Sequence, residues 1–318
     1  MNRTSLQRLG LTLLLTLFLG ACGNSGQAPA NETSNAESAE PETTRSVTWR
    51  FALEEVQGSV QDAYAQEFKR RIEKRSDGAI SIEIYPYGTL GTSAQLTEMA
   101  QGGGLELIFA SPGHLADLIP EVGVFTLHFV LSEHNEVNRE VLSDPEIYSL
   151  FQPLYNNQDL QLLDIIPEGW MVWSGDKPLR TLKDFRNFKI RTMTSPILVE
   201  SYRAYGANPT PMPYSEVYSG LQLGQIDGQV NPMFAIQEMS FYEEQDVLTY
   251  GRHAQFISTL AASRQWFESL SDERRQMVLE VRDELVGWID KEQIKFNEKR
   301  LQIILDKGGT EFVELSDQ

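Results

Sequence analysis

The chain has 318 residues, 41% of them hydrophobic and 10% aromatic. That is long enough for two packed lobes and too apolar for a disordered protein. Its 45 acidic against 27 basic side chains give a formal charge of −18, which argues against nucleic acid as a partner, since phosphates would be repelled.

Arg3 and Arg8 precede an apolar run, Leu9 to Leu19, of signal-peptide length. The run falls short of the ~20 residues a membrane span needs. Leu19-Gly20-Ala21-Cys22 closes it and resembles the bacterial lipobox. Residues 1–22 are therefore expected to be a lipoprotein signal peptide, with Cys22 as the lipidation site. Cys22 is the only cysteine, so no intrachain disulfide exists. Cleavage before it would tether the protein to a membrane by acyl chains, palmitate among them, and not by a spanning helix. Residues 23–45 hold no large apolar side chain and read as a flexible linker.

Ordered structure is expected from Ser46. Val47 to Leu53 alternates as a strand; Val60, Tyr64, Phe68 and Ile72 recur at helical spacing until Ser76-Asp77-Gly78; Ile80, Ile82 and Ile84 alternate again. A strand-helix-strand unit of this kind predicts parallel strands. A helix from about Ser93 to Gln101 and a strand from Leu105 to Ala110 extend the pattern. Gly102-Gly103-Gly104 stands after a helix and before a strand, the reverse of a phosphate loop, and reads as a helix stop. Ser111 opens the next helix, Pro120 to Phe129 is a loop or short strand, and Glu136–Leu142 and Pro145–Tyr155 are helical. A strand from Leu160 to Ile166 is expected to break at Pro167-Glu168-Gly169. Beyond it a second lobe begins, with a short strand Phe188–Met193 that carries Arg191 off its core face. Gly251 to Ala262 runs as a strand back toward the first lobe. From Ser271, an N-cap with Asp272 and Glu273 in the first turn, an apolar stripe implies one helix of some 35 residues ending at Gly308-Gly309. Its length suits a brace across both lobes.

No catalytic constellation emerges. The histidines at 114, 128, 134 and 253 are scattered without metal-ligand spacing and read as surface or loop residues. There is no nucleophile elbow, Walker motif or dinucleotide fingerprint. Glu54-Glu55 and Glu243-Glu244 are adjacent and so point apart, a poor arrangement for glycoside hydrolysis. The chain is not expected to be an enzyme or to need a cofactor or metal. An exported two-lobe α/β protein is suited instead to closing on a small molecule. The crevice beyond the carboxyl ends of the strands points to Glu54, the turn around Tyr87, Ser111, the 168–173 stretch, Arg191, Tyr214 and Asn231.

From Val47 onward the chain resembles the solute-binding subunits of tripartite ATP-independent periplasmic (TRAP) transporters, the DctP-like family. The resemblance rests on Tyr85-Pro86-Tyr87-Gly88-Thr89-Leu90-Gly91, Gly104-Leu105-Glu106-Leu107, Lys189-Ile190-Arg191 and Gly224-Gln225-Ile226-Asp227-Gly228-Gln229-Val230-Asn231-Pro232. It implies an α/β, two-lobe periplasmic-binding-protein-like fold with a ligand cleft between the lobes and a long C-terminal helix bracing both. Lobe I would comprise 46–168 plus about 256–296, and lobe II 169–255 plus about 297–318. It implies Arg191 as a bidentate carboxylate clamp, Asn231 as a polar ligand contact and Tyr214 as an aromatic wall. Phe234 joins the expected contacts. Asp227-Gly228 reads as turn chemistry.

Many members carry a second arginine two residues beyond the Gly169 break, where this chain has Met171. A second anionic group on the ligand would lack a partner, so a monocarboxylate or zwitterion is favoured over a dicarboxylate. Trp170 and Trp173 with Glu54 would then hold a cationic remainder, as in an ectoine-like solute, or an apolar one, as in aromatic or branched 2-oxo acids. The expected protein is monomeric and delivers its ligand to TRAP permease subunits. A ligand-sensing lipoprotein feeding a signalling receptor is the alternative, and a secreted enzyme the third.

Overall fold

The computed structural model describes residues 46–315. The expected signal peptide, linker and Cys22 lie outside them.

Two strand-helix-strand units open the described residues. β1 (Val47–Ala52), α1 (Val60–Arg75), β2 (Ile80–Tyr85), α2 (Ser93–Gln101) and β3 (Leu107–Ala110) follow one another, and β1 pairs in parallel with both β2 and β3. Ser59 caps α1 by accepting from the amide of Asp62, and Gly102 ends α2 as expected. After α3 (Pro112–Leu115), the Pro120–Thr126 segment forms a 3-10 helix where a loop or strand was expected. Pro120 presets its first turn, and Val122 and Phe125 pack inward. α4 (Asn135–Leu142) and α5 (Pro145–Asn156) then lead into β4 (Leu160–Gly175).

β4 departs from expectation. It does not end at Pro167 but runs 16 residues against β8 (Val247–Ser263), through register shifts at Leu162/Asp164, Pro167/Gly169 and Trp170/Val172. Gly169 adopts φ +139°, and Asn297 Nδ2 donates to the displaced carbonyl of Glu168 at 2.8 Å. A side chain 129 positions later thus satisfies the polar group that a proline-containing bulge leaves open.

Between the two long strands lie α6 (Leu182–Phe185), β5 (Lys189–Thr192), α7 (Pro196–Ala204), β6 (Asn208–Pro211), α8 (Val217–Gln222), β7 (Val230–Pro232) and α9 (Met233–Glu238). β5 and β6 form a separate parallel pair. β8 is followed by α10 (Arg264–Ser269), α11 (Asp272–Lys307) and β9 (Glu311–Glu314). In the main sheet, order β2-β1-β3-β8-β4-β7, β3 joins β8 near Ala261. β7 joins β4 at Met171–Trp173, and β9 joins β8 at Val247–Tyr250. The long antiparallel pair therefore threads two groups of strands, one at each end, with the Pro167/Gly169 bulge between them.

α11 has 36 residues, so about 54 Å at 1.5 Å per residue. Val278, Val281, Leu285 and Ile289 pack with Phe51 and Phe68 in one apolar cluster, whereas Ile304 packs with Val172 and Leu248 in another. One helix buries residues at both ends of the sheet.

Candidate functional site

Arg191 sits on β5, whose partners decide where its side chain goes. The Lys189 amide donates to Asp227 Oδ2 at 2.8 Å, and the Asp227 amide returns a bond to the Lys189 carbonyl at 2.8 Å. The Arg191 amide donates to the Gly228 carbonyl at 2.8 Å. Asp227-Gly228 thus clips the turn before β7 onto β5, and Ile190 packs into the core beside Phe188. Arg191, on the other side, is also buried, 1% exposed, and lines a cavity. Its Nε and Nη2 donate to the Met212 carbonyl, and its guanidinium carbon lies 6.0 Å from the Tyr214 ring centre. No carboxylate forms an ion pair with it among the described residues. Burial pulls its pKa down to about 10, so it remains a cation at neutral pH.

The same cavity is lined by Glu54, Glu55, Ser111, Tyr214 and Asn231. Glu54 lies just past the end of β1, and its Oε2 accepts from the Ser111 amide at 2.6 Å. Burial pushes its carboxyl up to about 7, against hydrogen bonds from Ser111 that favour the anion. Burial and then the neighbouring Glu168 push Glu55 well above the usual carboxyl range. Gln61 ties this acidic wall together: its Oε1 accepts from the Glu54 amide at 2.9 Å and its Nε2 donates to Glu168 Oε1 at 3.2 Å. Asn231 Nδ2 donates to Gln229, whose own Nε2 donates to Ser174 Oγ at 3.0 Å. That chain fixes the Asn231 amide and leaves its Oδ1 without a partner among the described residues.

The structure brings five of the ten expected contacts together at this cavity and places the others apart. Tyr87 stands one ring behind, edge-on to Tyr214 at 5.6 Å, in an adjoining pocket. Met171 lines a neighbouring cavity, described below. Phe234 is fully buried in the core with Phe51 and Phe68. Trp173 stacks on His253 at 3.7 Å and donates from its indole to the Tyr202 hydroxyl at 2.9 Å. Trp170 lies beside Tyr250 and Asn297, in a groove along α11. The expected tryptophan wall is therefore not at the Arg191 cavity: alternation along β4 puts Trp170 with Val172 on one face and Trp173 with Met171 on the other, and neither indole lines it.

Other residues escaped sequence reasoning. His114, expected to be a surface or loop residue, lines the cavity half-buried on α3, and burial followed by the Arg191 charge lowers its pKa to about 3. Glu55 and Met193 line it too. Glu55 was visible only as half of an acidic pair, because β1 ends before it and frees both carboxyls to face one space. His128 and His253 are likewise internal, their rings 4.8 Å apart, and only His134 is exposed.

A cavity that offers one permanent cation, a fixed amide and two titrating carboxyls can hold a small molecule bearing an anionic end and a cationic or hydrogen-bonding end.

Comparison with known proteins accords with this. Residues 51–318 match the DctP family, described as "Bacterial extracellular solute-binding protein, family 7". The ectoine/5-hydroxyectoine-binding periplasmic protein UehA of Ruegeria pomeroyi is 40% identical over 265 residues, 83% of this chain and 75% of that protein. An apo, open TRAP periplasmic solute-binding protein from Marinobacter aquaeolei is 48% identical, with a TM-score of 0.81 over 85% of this chain and 89% of that one. The ectoine-binding protein of the TeaABC TRAP transporter of Halomonas elongata gives 37% identity and a TM-score of 0.82, covering 85% and 87%. The chain belongs to the DctP family of TRAP-transporter solute-binding proteins, two-lobe α/β proteins that bind small solutes for a membrane permease and are not enzymes.

Proposed function

We propose that this protein captures a small zwitterion with a single carboxylate, of the ectoine type, and hands it to TRAP permease subunits. The observation that carries the reading is the buried Arg191 guanidinium without an acidic partner, in one cavity with Glu54 and Glu55. A buried cation lacking a counter-ion is costly, and a ligand carboxylate supplies one. Glu54 and Glu55 would face the ligand's other end, where an amidinium or ammonium is attracted and a second carboxylate repelled. Met171 in place of a second arginine points the same way, as do the ectoine-binding relatives. Arg191, Asn231 and Tyr214 are assigned to the ligand, with Glu54 and Ser111 on the opposite wall. The cleft would close about the bulged crossing where Gly169 pairs with Phe256 and Trp170 with Gln255, which puts the lobe limits at 168/169 and 255/256.

Calorimetric titration with ectoine, malate and galacturonate tests the reading. Micromolar or tighter binding of ectoine and none of the other two is expected; preference for malate would overturn it. We also assign Cys22 as a lipid anchor on the strength of Leu19-Gly20-Ala21-Cys22. The mature wild type should partition into detergent and Cys22→Ser should remain aqueous; equal partitioning of both would remove the anchor.

A further inference from the structure

Behind the Arg191 cavity lies a second one that shares two lining residues with it, Met193 and Phe256. Its walls include Met171, Leu198 and Tyr202, and no acidic or basic side chain lines it apart from two histidines, His128 and His253. His253 is 1% exposed, and both of its ring nitrogens are without a hydrogen-bond partner among the described residues. Its ring is held in place: it stacks on Trp173 at 3.7 Å, His128 meets it edge-on at 4.8 Å, and its carbonyl accepts from the Phe129 amide at 2.7 Å. His128 is already engaged, its Nδ1 lying 2.6 Å from the Tyr205 hydroxyl. A buried donor and acceptor left unmade are costly, so a rigid imidazole in that condition marks a place where a polar group is received.

We infer that this rear cavity is a subsite of the binding site, which takes an uncharged hydroxyl-bearing substituent of the ligand on His253. The inference rests on the carboxylate reading of Arg191 and adds to it the character of the ligand's remote end. Size limits the occupant: the cavity is small, with room for about one water-sized group such as a hydroxyl. Charge limits it as well. Burial and then His128 hold the His253 ring neutral, and no ionised wall offsets a second charge on the ligand. A neutral imidazole presents one donor and one acceptor, which a hydroxyl, itself both, can satisfy. Met193 separates the two cavities with a flexible thioether that packs against Gly113, where a Cβ would lie only 2.4 Å from the Met193 methyl. Glycine there leaves the methionine space to stand in the passage between the cavities.

The test compares ligand pairs that differ by one hydroxyl, beginning with ectoine and 5-hydroxyectoine, by calorimetry on the mature protein. Wild type should prefer the hydroxylated member by about 3- to 10-fold, the range of one buried neutral hydrogen bond. His253→Phe keeps a ring on Trp173 and removes both nitrogens; it should abolish the preference and leave affinity for the parent compound within about twofold. His253→Gln, which restores a donor and an acceptor, should recover part of it. Thermal unfolding of each unliganded variant establishes that it is folded. A preference unchanged in His253→Phe, or absent from wild type, overturns the subsite and leaves His253 as a site for water alone. If neither ectoine compound binds, the zwitterion reading fails separately. The same comparison on matched hydroxy and deoxy amino and oxo acids then decides the subsite, and no His253-dependent preference in any pair overturns it.

Discussion

Arg191 commits two of its guanidinium nitrogens, Nε and Nη2, to a single oxygen, the carbonyl of Met212, at 3.2 and 2.9 Å. The bond holds the fork in place from behind while Nη1 makes no hydrogen bond among the described residues, so its free edge stays available. A buried cation kept for a ligand is a burden on the empty protein. Arg191→Met should therefore lower ligand affinity by about 100-fold or more, in line with the 2–5 kcal/mol lost when a buried charge pair is broken. It should leave the unliganded unfolding midpoint within a few degrees of wild type, since apolar replacement of buried charge is often neutral or stabilising. Arg191→Lys keeps charge without the fork and should fall between. Calorimetry and thermal melts check both. Affinity retained by the methionine variant would show that the carboxylate is held elsewhere.

Glu54 sets the pH dependence of binding. With its carboxyl at about 7 in the unliganded protein, a ligand cation beside it favours the ionised form and displaces a proton. Affinity for a zwitterion should rise from pH 5.5 to about 7, by at most tenfold per unit, and level off above. Glu54→Gln should bind more weakly with a flatter profile. Titrations in buffers of different ionisation enthalpy count the proton released, and a flat wild-type profile would remove Glu54 from the contact.

The same burial acts on stability with the opposite sign. Glu54 and Glu238 are pushed to about 7 and Asp164 to about 6, each chiefly by burial. Between the ordinary carboxyl range and those values, the native state holds protons that the unfolded chain has released. Stability therefore falls as pH rises through that window, by about 1.4 kcal/mol per unit for each group. Glu67, lowered to about 2 by Arg70, contributes stability that is lost only in stronger acid. The unliganded protein should melt higher at pH 5 than at pH 8, and saturating ligand should narrow the gap. A melt that rises steadily toward pH 8 would contradict the assignment of these carboxyls.

How far the sequence revealed the site depended on whether a residue's direction is decided locally. Arg191 was legible because alternation along a short strand puts Ile190 inward and its neighbours the other way. Glu54, Ser111 and Asn231 were legible because strand ends meet at the cleft. Trp170 and Trp173 were not, because residues three apart on a strand face opposite sides and nothing local says what each face of β4 meets. The continuation of β4 past Pro167 was hidden for a similar reason: it depends on Asn297 of α11, which no local pattern connects to Glu168. His114 and His253 looked incidental because burial, not spacing, gives them their character.

Gly228 is where the clamp is most exposed to a small change. A Cβ built there would lie 2.0 Å from the Ser174 carbonyl oxygen and 2.6 Å from Cζ of Phe188. The backbone has little freedom to retreat, because the Gly228 carbonyl holds the Arg191 amide at 2.8 Å and the neighbouring Gln229 carbonyl holds that of Ser174 at 2.9 Å. Either β5 or β4 must move for alanine to fit. Gly228→Ala should cost about 1–3 kcal/mol in chemical denaturation, as over-packing does, and more if the backbone bonds break. Displacing β5 also displaces the guanidinium, so affinity measured well below the unfolding midpoint should fall at least tenfold, as misplacement of a bidentate donor by about 1 Å predicts. The paired losses distinguish this site from an ordinary packing defect, which would lower stability and leave affinity untouched. A variant that unfolds and binds like wild type would mean that the Asp227-Gly228 turn does not position Arg191.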